Sequence, residues 1–276
     1  LSSKKFGSEW YGPYMGFKHV ELMTLGHWYK EKGPTLPPNG QHFERFVFEE
    51  AGGPEIFDIW HKAAKPGYGA AQTWHSSLPV ALHSSTWCGD RAISYLNNQT
   101  ENEPFCSWIS FPDPHHPFDC PTPWSTMYNL DDIDLPKEGN KDLDNRPWWH
   151  KASLESEPNL ADPQLKFFRA KLSRSVDQTE KQLREMTANY FGMISLIDHN
   201  VGRILLELKR LGLDKNTIIV YSTDHGDLLG DHGLYLKGPT PYEGLLRVGL
   251  IVNGPGIPNN QIIKDPVSTL DIPATI

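Results

Sequence analysis

The clearest hydrophobic pattern lies in the second half of the chain. Apolar residues recur there at three- and four-residue steps, the spacing that places side chains on one face of a helix. They are Phe191, Ile194, Ile197, Val201, Ile204, Leu205, Leu208 and Leu211. The pattern predicts a long helix from about Asp162 to Leu211, followed by Gly212, the residue type that commonly ends a helix.

A second helix and three strands are predicted elsewhere. Ser84 and Ser85 can cap a helix whose apolar residues share one face, namely Trp87, Ala92, Ile93 and Leu96. Runs rich in β-branched or aromatic residues predict strands at 105–111, 217–222 and 250–252. The first 85 residues show little sustained periodicity, which predicts loops with short helical pieces.

Helix, strand, loop and strand in this order predict an α/β fold in which helices cover a mostly parallel sheet. The 276 residues suffice for one hydrophobic core, so we expect residues 1–276 to form a single domain. The net charge of −8 argues against nucleic acid or an anionic membrane as the main partner, because both require a basic face. No segment approaches the roughly eighteen apolar residues of a membrane span.

The three cysteines give little functional information. Cys88, Cys106 and Cys120 cannot all pair, and none of them forms a Cys-x-x-Cys unit. Neither a disulfide framework nor a zinc knuckle is therefore predicted. We interpret them as small apolar thiols, and burial suits Cys106 best because it lies in a predicted buried strand.

A dense group of polar residues follows the predicted strand at 217–222. It consists of Asp224-His225-Gly226-Asp227, Gly230-Asp231-His232-Gly233 and Lys237. An Asp and a His at a strand end offer an oxygen and a nitrogen ligand to one cation. Lys237 adds a positive charge suited to a sulfate or phosphate oxygen. An isolated Asp-His-Gly is usually an ordinary turn, but the complete spacing after a strand favours a binding site.

A second polar group follows the predicted strand at 105–111. His115 and His116 lie between Pro114 and Pro117. Prolines restrict the backbone, so a ring held there can donate a hydrogen bond to an oxyanion or protonate a leaving oxygen. Two surface histidines in a turn are the alternative, and the first polar group favours the functional interpretation, for His115 more than for His116.

The sequence of these two groups resembles that of the sulfatase family. The segment TDHGDLLGDHGLYLKGPTPYEGLLRV is similar to the C-terminal metal-binding segment of sulfatases, and FPDPHHPFD is similar to their Pro-His-x-Pro element. Upstream, GPYMGFKHVEL and HSSTWCGDRAISYL resemble bacterial members, particularly the arylsulfatase and phosphonate monoester hydrolase branch. The resemblance implies an alkaline-phosphatase-like α/β fold.

The resemblance also implies roles for individual residues. Asp224 and His225 would bind a divalent metal, with Ca²⁺ the first expectation and Mn²⁺ or Mg²⁺ the alternatives. Lys237 would contact the sulfate of the substrate, and His115 would lie near the sulfate or the leaving oxygen. His232 and His116 are expected to support the substrate or the site. The implied partner is a small-molecule sulfate ester of an aryl or sugar group.

One family element is absent from the sequence. Sulfatases of this kind attack with a formylglycine made from Cys or Ser in Cys/Ser-x-Pro-x-Arg, and no Pro in this chain has Arg two residues later. None of the cysteines is therefore that nucleophile. We expect the formylglycine, the paired N-terminal Asp ligands and the first strands to precede residue 1, and the chain to be truncated at both ends.

Three functions remain open from the sequence. The first is a sulfuric ester hydrolase that carries only part of its active site in this chain. The second is a phosphonate or phosphate ester hydrolase on the same scaffold, because the same groups hold either tetrahedral anion. The third is a relative without catalytic activity that binds a metal or an anion.

Overall fold

The computed structural model of the chain describes residues 6–7, 9–23, 42–53, 55–56, 59, 62–99, 103–137, 143–154, 161–163, 177–238 and 240–276. Its helices include α1 (His42–Glu49), α2 (Ser84–Asn97), α3 (Trp148–Ser153), α4 (Glu180–Arg210), α5 (Glu243–Leu246) and α6 (Ile272–Thr275). Strands β1 (Ile219–Ser222) and β2 (Leu250–Asn253) pair with each other.

Helix α4 is the long helix that the hydrophobic pattern predicts, with a later start. It begins after Thr179, whose hydroxyl accepts a hydrogen bond from the backbone of Gln182 while the Gln182 side chain accepts one from the backbone of Thr179. This capping box supplies a start signal that the apolar spacing alone does not reveal. The predicted stretch from 164 to 176 lies outside the described residues. The C-terminal end is confirmed, since Gly212 takes a φ of +72° after Arg210.

Helix α2 is also confirmed, but a different residue caps it. Ser84 and Ser85 lie inside its first turn, and His83 takes the cap position. The His83 ring nitrogen Nδ1 accepts a hydrogen bond from the Ser85 backbone at 3.3 Å. An imidazole nitrogen therefore caps the helix, where the sequence analysis expected a serine hydroxyl. No helix in the described ranges combines the length and apolar character needed to cross a bilayer.

The two strands pair antiparallel, so the parallel pairing predicted for them is wrong. Ile219 lies opposite Asn253 and Ser222 lies opposite Leu250. The start and the end of the segment that connects the strands contact each other, since the Gly226 backbone donates to the Leu245 carbonyl at 2.9 Å. This contact returns the chain to the end of β1 at which it left, so β2 must run in the opposite direction. The mixed helix and sheet content is that of the predicted α/β class.

The predicted buried strand at 105–111 is wrong as well. These residues form no ladder in the described part of the chain, and the Trp108 side chain is 80% exposed. A strand requires a neighbouring backbone for its N–H and C=O groups, and the pattern of apolar residues does not supply one. Phe105 and Phe111 nevertheless pack against buried residues of the core.

The core is organised around the apolar face of α4. One cluster, which we call the α4 cluster, joins α4 to loops from both halves of the chain and contains Ala70, Phe118, Cys120, Leu183, Met186, Met193 and Leu236. A neighbouring cluster joins α2 to α4 and contains Ala92, Leu96, Ile204 and Leu208. Close packing of this kind fixes the relative positions of the segments that contribute to it.

A buried carboxylate adds a polar tie to α4. Glu185 is 2% exposed and accepts hydrogen bonds from the backbone of Tyr68 at 2.9 Å and of Ala70 at 3.3 Å. A carboxylate is costly to bury unless backbone donors of this kind replace its water. The contact therefore holds the loop at 67–71 firmly against the helix.

The cysteines differ from their sequence interpretation. Cys106 is exposed, whereas Cys88 and Cys120 are buried. The reason is that residues 105–111 do not form the buried strand from which the burial of Cys106 was inferred. Burial raises the pKa of Cys88 to about 12, and it raises the pKa of Cys120 as well. A raised pKa keeps both buried thiols protonated at neutral pH, which makes them poor nucleophiles.

This difference in exposure predicts the thiol chemistry. We expect a disulfide reagent such as dithionitrobenzoate to react quickly with one thiol of the native chain at pH 8, and with all three in urea. Cys106→Ser should abolish the fast native reaction, while Cys88→Ser should leave it unchanged. Fast native reaction in the Cys106→Ser variant would contradict the assigned burial.

The close approach of Gly226 to α5 predicts a selective loss of stability. A Cβ atom at Gly226 would lie 1.9 Å from the carbonyl oxygen of Gly244. Because that oxygen belongs to the backbone, Gly226→Ala must separate the two segments, and we expect it to lower the free energy of unfolding by about 3 kcal/mol.

Gly238→Ala is the matched control for that measurement. A Cβ at Gly238 meets no heavy atom of the described residues within 4 Å. We expect this variant to stay within about 0.5 kcal/mol of the parent chain in urea unfolding. Equal midpoints for the two variants would show that the loop does not pack on α5 as described.

Candidate active site

The predicted metal ligands lie together immediately after β1. The Asp224 side chain is 83% exposed, and its Oδ2 atom is 3.5 Å from Nε2 of His225. Its other oxygen accepts a hydrogen bond from the His225 backbone at 2.8 Å. This bond fixes the carboxylate relative to the imidazole, so one oxygen and one nitrogen face the same space.

A backbone hydrogen bond orients the His225 ring. Its Nδ1 atom is 2.7 Å from the carbonyl oxygen of Gly226. Since a carbonyl can only accept, Nδ1 donates its proton to it, and a neutral ring in this orientation carries its lone pair on Nε2. Histidines that ligate metals in proteins usually donate their other N–H to such a partner. The pair Asp224 and His225 therefore fits a divalent cation as part of a ligand set.

The described residues supply only this part of a coordination sphere. They contain no cluster of three or more His, Cys, Asp or Glu side chains arranged to hold a metal ion. Structural and catalytic metals generally take at least three protein ligands. Asp224 and His225 would therefore need further ligands to complete such a centre.

A tight loop carries the remaining residues of the motif. The Leu228 backbone donates to the Leu236 carbonyl at 2.9 Å, and Gly230 donates to Leu234 at 2.8 Å. These bonds fold the loop back on itself and pair Leu228 with Leu236. Asp227 directly precedes this pair and Lys237 directly follows it, so both residues lie at the base of the loop. His232 lies at its tip with a φ of +55°.

Asp227 and Lys237 influence each other's charge. Burial raises the pKa of Asp227 to about 6, and the positive charge of Lys237 opposes that rise. Burial likewise lowers the pKa of Lys237, and Asp227 and Asp224 oppose that change. The sequence interpretation gave Asp227 no role. Its position three residues after Asp224 in the same motif was the signal that could have drawn attention to it.

A second residue that the sequence interpretation missed is Tyr190, on α4. Burial raises its pKa to about 12, and the negative charge of Asp227 and, more weakly, that of Asp224 add to the rise. Its ring meets that of Phe118 edge to face, with the centroids 5.7 Å apart. Tyr190 thus contacts Phe118 and is also influenced by the charges of Asp227 and Asp224.

The two predicted histidines of the Pro-rich segment have different surroundings. His116 is buried at 5% exposure, and its ring lies edge-on to Phe118 with centroids 6.4 Å apart. His115 is partly exposed and stacks on His116 with centroids 4.2 Å apart. Its Nδ1 atom donates to the His116 carbonyl, which leaves Nε2 as the nitrogen that faces away from the backbone.

The α4 cluster brings these two segments to one region. Phe118 lies two residues after His116, Leu236 lies directly before Lys237, and both pack in that cluster. The structure therefore joins a residue that follows the two histidines and the residue that precedes Lys237 in one cluster on α4.

His232 occupies a different place. Its ring stacks on Tyr242 with centroids 3.9 Å apart, and its Nδ1 atom is 3.5 Å from Nη2 of Arg146. Arg146 also donates to the Tyr242 hydroxyl at 2.9 Å. These contacts tie the loop tip to the segment before α3. His232 therefore lies at the far end of the loop from Asp227 and Lys237.

Comparisons with known proteins give the chain a family. The sulfatase family profile matches residues 16–276. An arylsulfatase of Clostridium perfringens is 34% identical over 177 residues, which cover 63% of this chain and 33% of that protein. A choline-sulfatase of Rhizobium meliloti is 30% identical over 187 residues, which cover 67% of this chain and 33% of that protein. The chain thus spans about a third of the length of these relatives.

Solved structures show the same fold. A phosphonate monoester hydrolase of Agrobacterium radiobacter superposes with a TM-score of 0.56 at 25% identity, over 75% of this chain and 39% of that one. The corresponding enzyme of Silicibacter pomeroyi gives a TM-score of 0.58 at 20% identity, over 72% of this chain and 38% of that one. These neighbours agree with the α/β, alkaline-phosphatase-like class predicted from the sequence. The family profile covers nearly the whole chain, and the chain belongs to the sulfatase family.

Proposed function

We propose that this chain is part of a sulfuric ester hydrolase that cleaves sulfate monoesters with the help of a divalent metal. The observation that carries the proposal is the arrangement of Asp224 and His225, in which a carboxylate oxygen and Nε2 lie 3.5 Å apart while Nδ1 contacts a backbone carbonyl. Membership of the sulfatase family gives this pair of ligands its chemical context. We further propose that residues 1–276 belong to one α/β domain.

The metal is proposed to bind to a carboxylate oxygen of Asp224 and to Nε2 of His225. Ca²⁺ is our first assignment, with Mn²⁺ and Mg²⁺ as alternatives, because a carboxylate is the preferred ligand of hard cations. When bound, such a cation neutralises charge on the sulfate oxygens. The rest of the coordination sphere, and the formylglycine that serves as nucleophile in the family, are proposed to come from outside these 276 residues.

Lys237 and His115 are proposed to act on the substrate directly. The Lys237 ammonium lies at the base of the loop and would bind a sulfate oxygen as a point charge. The Nδ1 proton of His115 is fixed on a backbone carbonyl, so only Nε2 can reach a ligand. A protonated His115 would give its Nε2 proton to the leaving oxygen and keep its Nδ1 hydrogen bond to the backbone.

His116 and His232 are proposed to support the site from a distance. His116 provides the buried surface on which the His115 ring stacks. His232 anchors the tip of the loop whose base carries Lys237. Neither residue needs to touch the reacting atoms in order to affect the rate, because both fix groups that do.

The substrate is proposed to be a small-molecule sulfate ester of an aryl or sugar group. The two relatives described above are named for aryl and choline sulfates, so the family alone does not select the alcohol. The second candidate is a phosphonate monoester, which the structural neighbours among phosphonate monoester hydrolases favour. The same cation and Lys237 would suit either tetrahedral anion.

The proposal predicts a specific loss of turnover in the protein encoded by the complete reading frame. We expect hydrolysis of 4-nitrophenyl sulfate to be faster than that of a 4-nitrophenyl phosphonate monoester. Asp224→Ala and Lys237→Ala should each lower kcat/KM by about 100-fold or more. The first removes a proposed metal ligand, and the second removes the positive charge proposed to bind the sulfate. Steady-state kinetics and metal content, measured on the same preparations, provide the test.

Asp214→Ala and Lys215→Ala are the matched controls. Both residues are exposed and lie in the short turn before β1, away from the motif. They should retain the activity and metal content of the parent. Faster phosphonate cleavage would support the second candidate, and hydrolysis of neither ester would favour a relative without catalytic activity. Full activity of Asp224→Ala would refute the metal assignment.

A further prediction concerns the 276-residue chain by itself. It carries Asp224, His225, Lys237 and His115 but no Cys/Ser-x-Pro-x-Arg motif. We therefore expect no multiple-turnover hydrolysis of 4-nitrophenyl sulfate by this chain. Turnover clearly above that of its Asp224→Ala variant would show that the nucleophile lies within these residues.

A further inference from the structure

A buried carboxylate lies two residues before His115. Asp113 is 6% exposed, and its Oδ2 atom accepts a hydrogen bond from the hydroxyl of Ser85, which is fully buried at the start of α2. The same oxygen is 3.5 Å from Nδ1 of His83, the residue that caps α2. The functional roles proposed above do not use these three residues.

The location of Asp113 accounts for its burial. A carboxylate taken out of water is costly unless hydrogen-bond donors replace the lost solvent. The first turn of a helix offers such a place, because its free N–H groups and the helix dipole favour negative charge. The Ser85 hydroxyl adds a direct donor. Asp113 is therefore held at one defined point on a helix that itself packs on α4.

The segment before His115 depends on α2 for its position. Residues 105–111 have no ladder partner in the described part of the chain, so backbone pairing does not fix them. Instead the Cys88 thiol lies 3.5 Å from the Ser110 carbonyl, and Phe111 packs against the core cluster that contains Trp87 and Cys88. Asp113 is the last of these anchors before His115.

A tight turn links Asp113 to His115. The His115 backbone donates to the Pro112 carbonyl at 3.2 Å, which closes a turn with Asp113 inside it. A rotation of Asp113 would therefore rotate the whole turn and move the His115 ring. Small displacements of a group that transfers a proton cost rate because its hydrogen-bond geometry is exacting.

We propose that Ser85 and Asp113 are positioning residues for His115. The hydrogen bond between them holds the turn so that Nε2 of His115 faces the leaving oxygen. This inference rests on the proposed function, in which His115 acts as the leaving-group acid. As an oxygen nucleophile bonds to sulfur, the ester sulfur–oxygen bond breaks and its electron pair stays on the leaving oxygen. The Nε2 proton of His115 moves to that oxygen to give a neutral alcohol.

The proposal predicts an effect that depends on the leaving group. Phenoxide is a strongly basic leaving group and needs a proton, whereas 4-nitrophenoxide is stable without one. In the protein from the complete reading frame, Ser85→Ala should lower kcat/KM for phenyl sulfate about tenfold more than for 4-nitrophenyl sulfate. A smaller folded fraction would lower both rates by the same factor, so the ratio separates positioning from stability.

Ser84→Ala is the matched control. Ser84 lies in the same helical turn and is equally buried, and its hydroxyl has no hydrogen-bond partner among the described residues. It should leave the ratio of the two substrates unchanged. Ser85→Thr retains a hydroxyl and should restore much of the ratio. His115→Ala should give the largest change, and Ser85→Ala combined with it should change the ratio no further.

The possible results separate the inference from the function on which it rests. A selective loss in His115→Ala together with an unchanged ratio in Ser85→Ala would overturn the positioning role alone. An equal shift in Ser84→Ala and Ser85→Ala would also overturn it. If His115→Ala itself leaves the ratio unchanged, the assignment of His115 as the acid is wrong, and the inference fails with it.

Discussion

The buried face of α4 is the constraint on which the candidate site depends. Phe118 and Leu236 are more than a hundred residues apart, yet both pack in the α4 cluster. Phe118 lies two residues after His116, which is proposed to support the site, and Leu236 directly precedes Lys237, which is proposed to bind the substrate. These apolar contacts take no part in the proposed chemistry, but they fix the positions of the segments that carry the polar residues. Tyr190, on the same helix, contacts Phe118 and is influenced by the charges of Asp227 and Asp224.

The two proposed functional imidazoles share one structural device. His115 and His225 each donate Nδ1–H to the backbone carbonyl of the residue that follows. A short local hydrogen bond thus fixes both the tautomer and the orientation of the ring. In each case Nε2 remains for an external partner, which we propose to be a metal for His225 and a leaving oxygen for His115. The same local geometry therefore suits a ligand at one position and a proton donor at the other.

The sequence predicted those features of the site that depend on neighbouring residues. Asp224, His225 and Lys237 lie in one short segment, and the end of α4 at Gly212 follows from local backbone freedom. The absence of a strand at 105–111 was not predictable in this way, because a ladder needs a second backbone that the local pattern does not specify. The exposure of Cys106 follows from the same cause. The antiparallel register depends on the contact between Gly226 and Leu245, which no periodicity reveals.

The sequence by itself thus determined the family, the two main helices and the location of both strands of the sheet. Tertiary structure alone decided the pairing direction of those strands, the burial of each thiol and the partner of Asp113. The physical reason is the range of the interactions. Helix periodicity, caps and contiguous motifs depend on residues that are close in sequence. Ser85 and Asp113, in contrast, lie 28 positions apart and meet only because the chain folds α2 against the segment before His115.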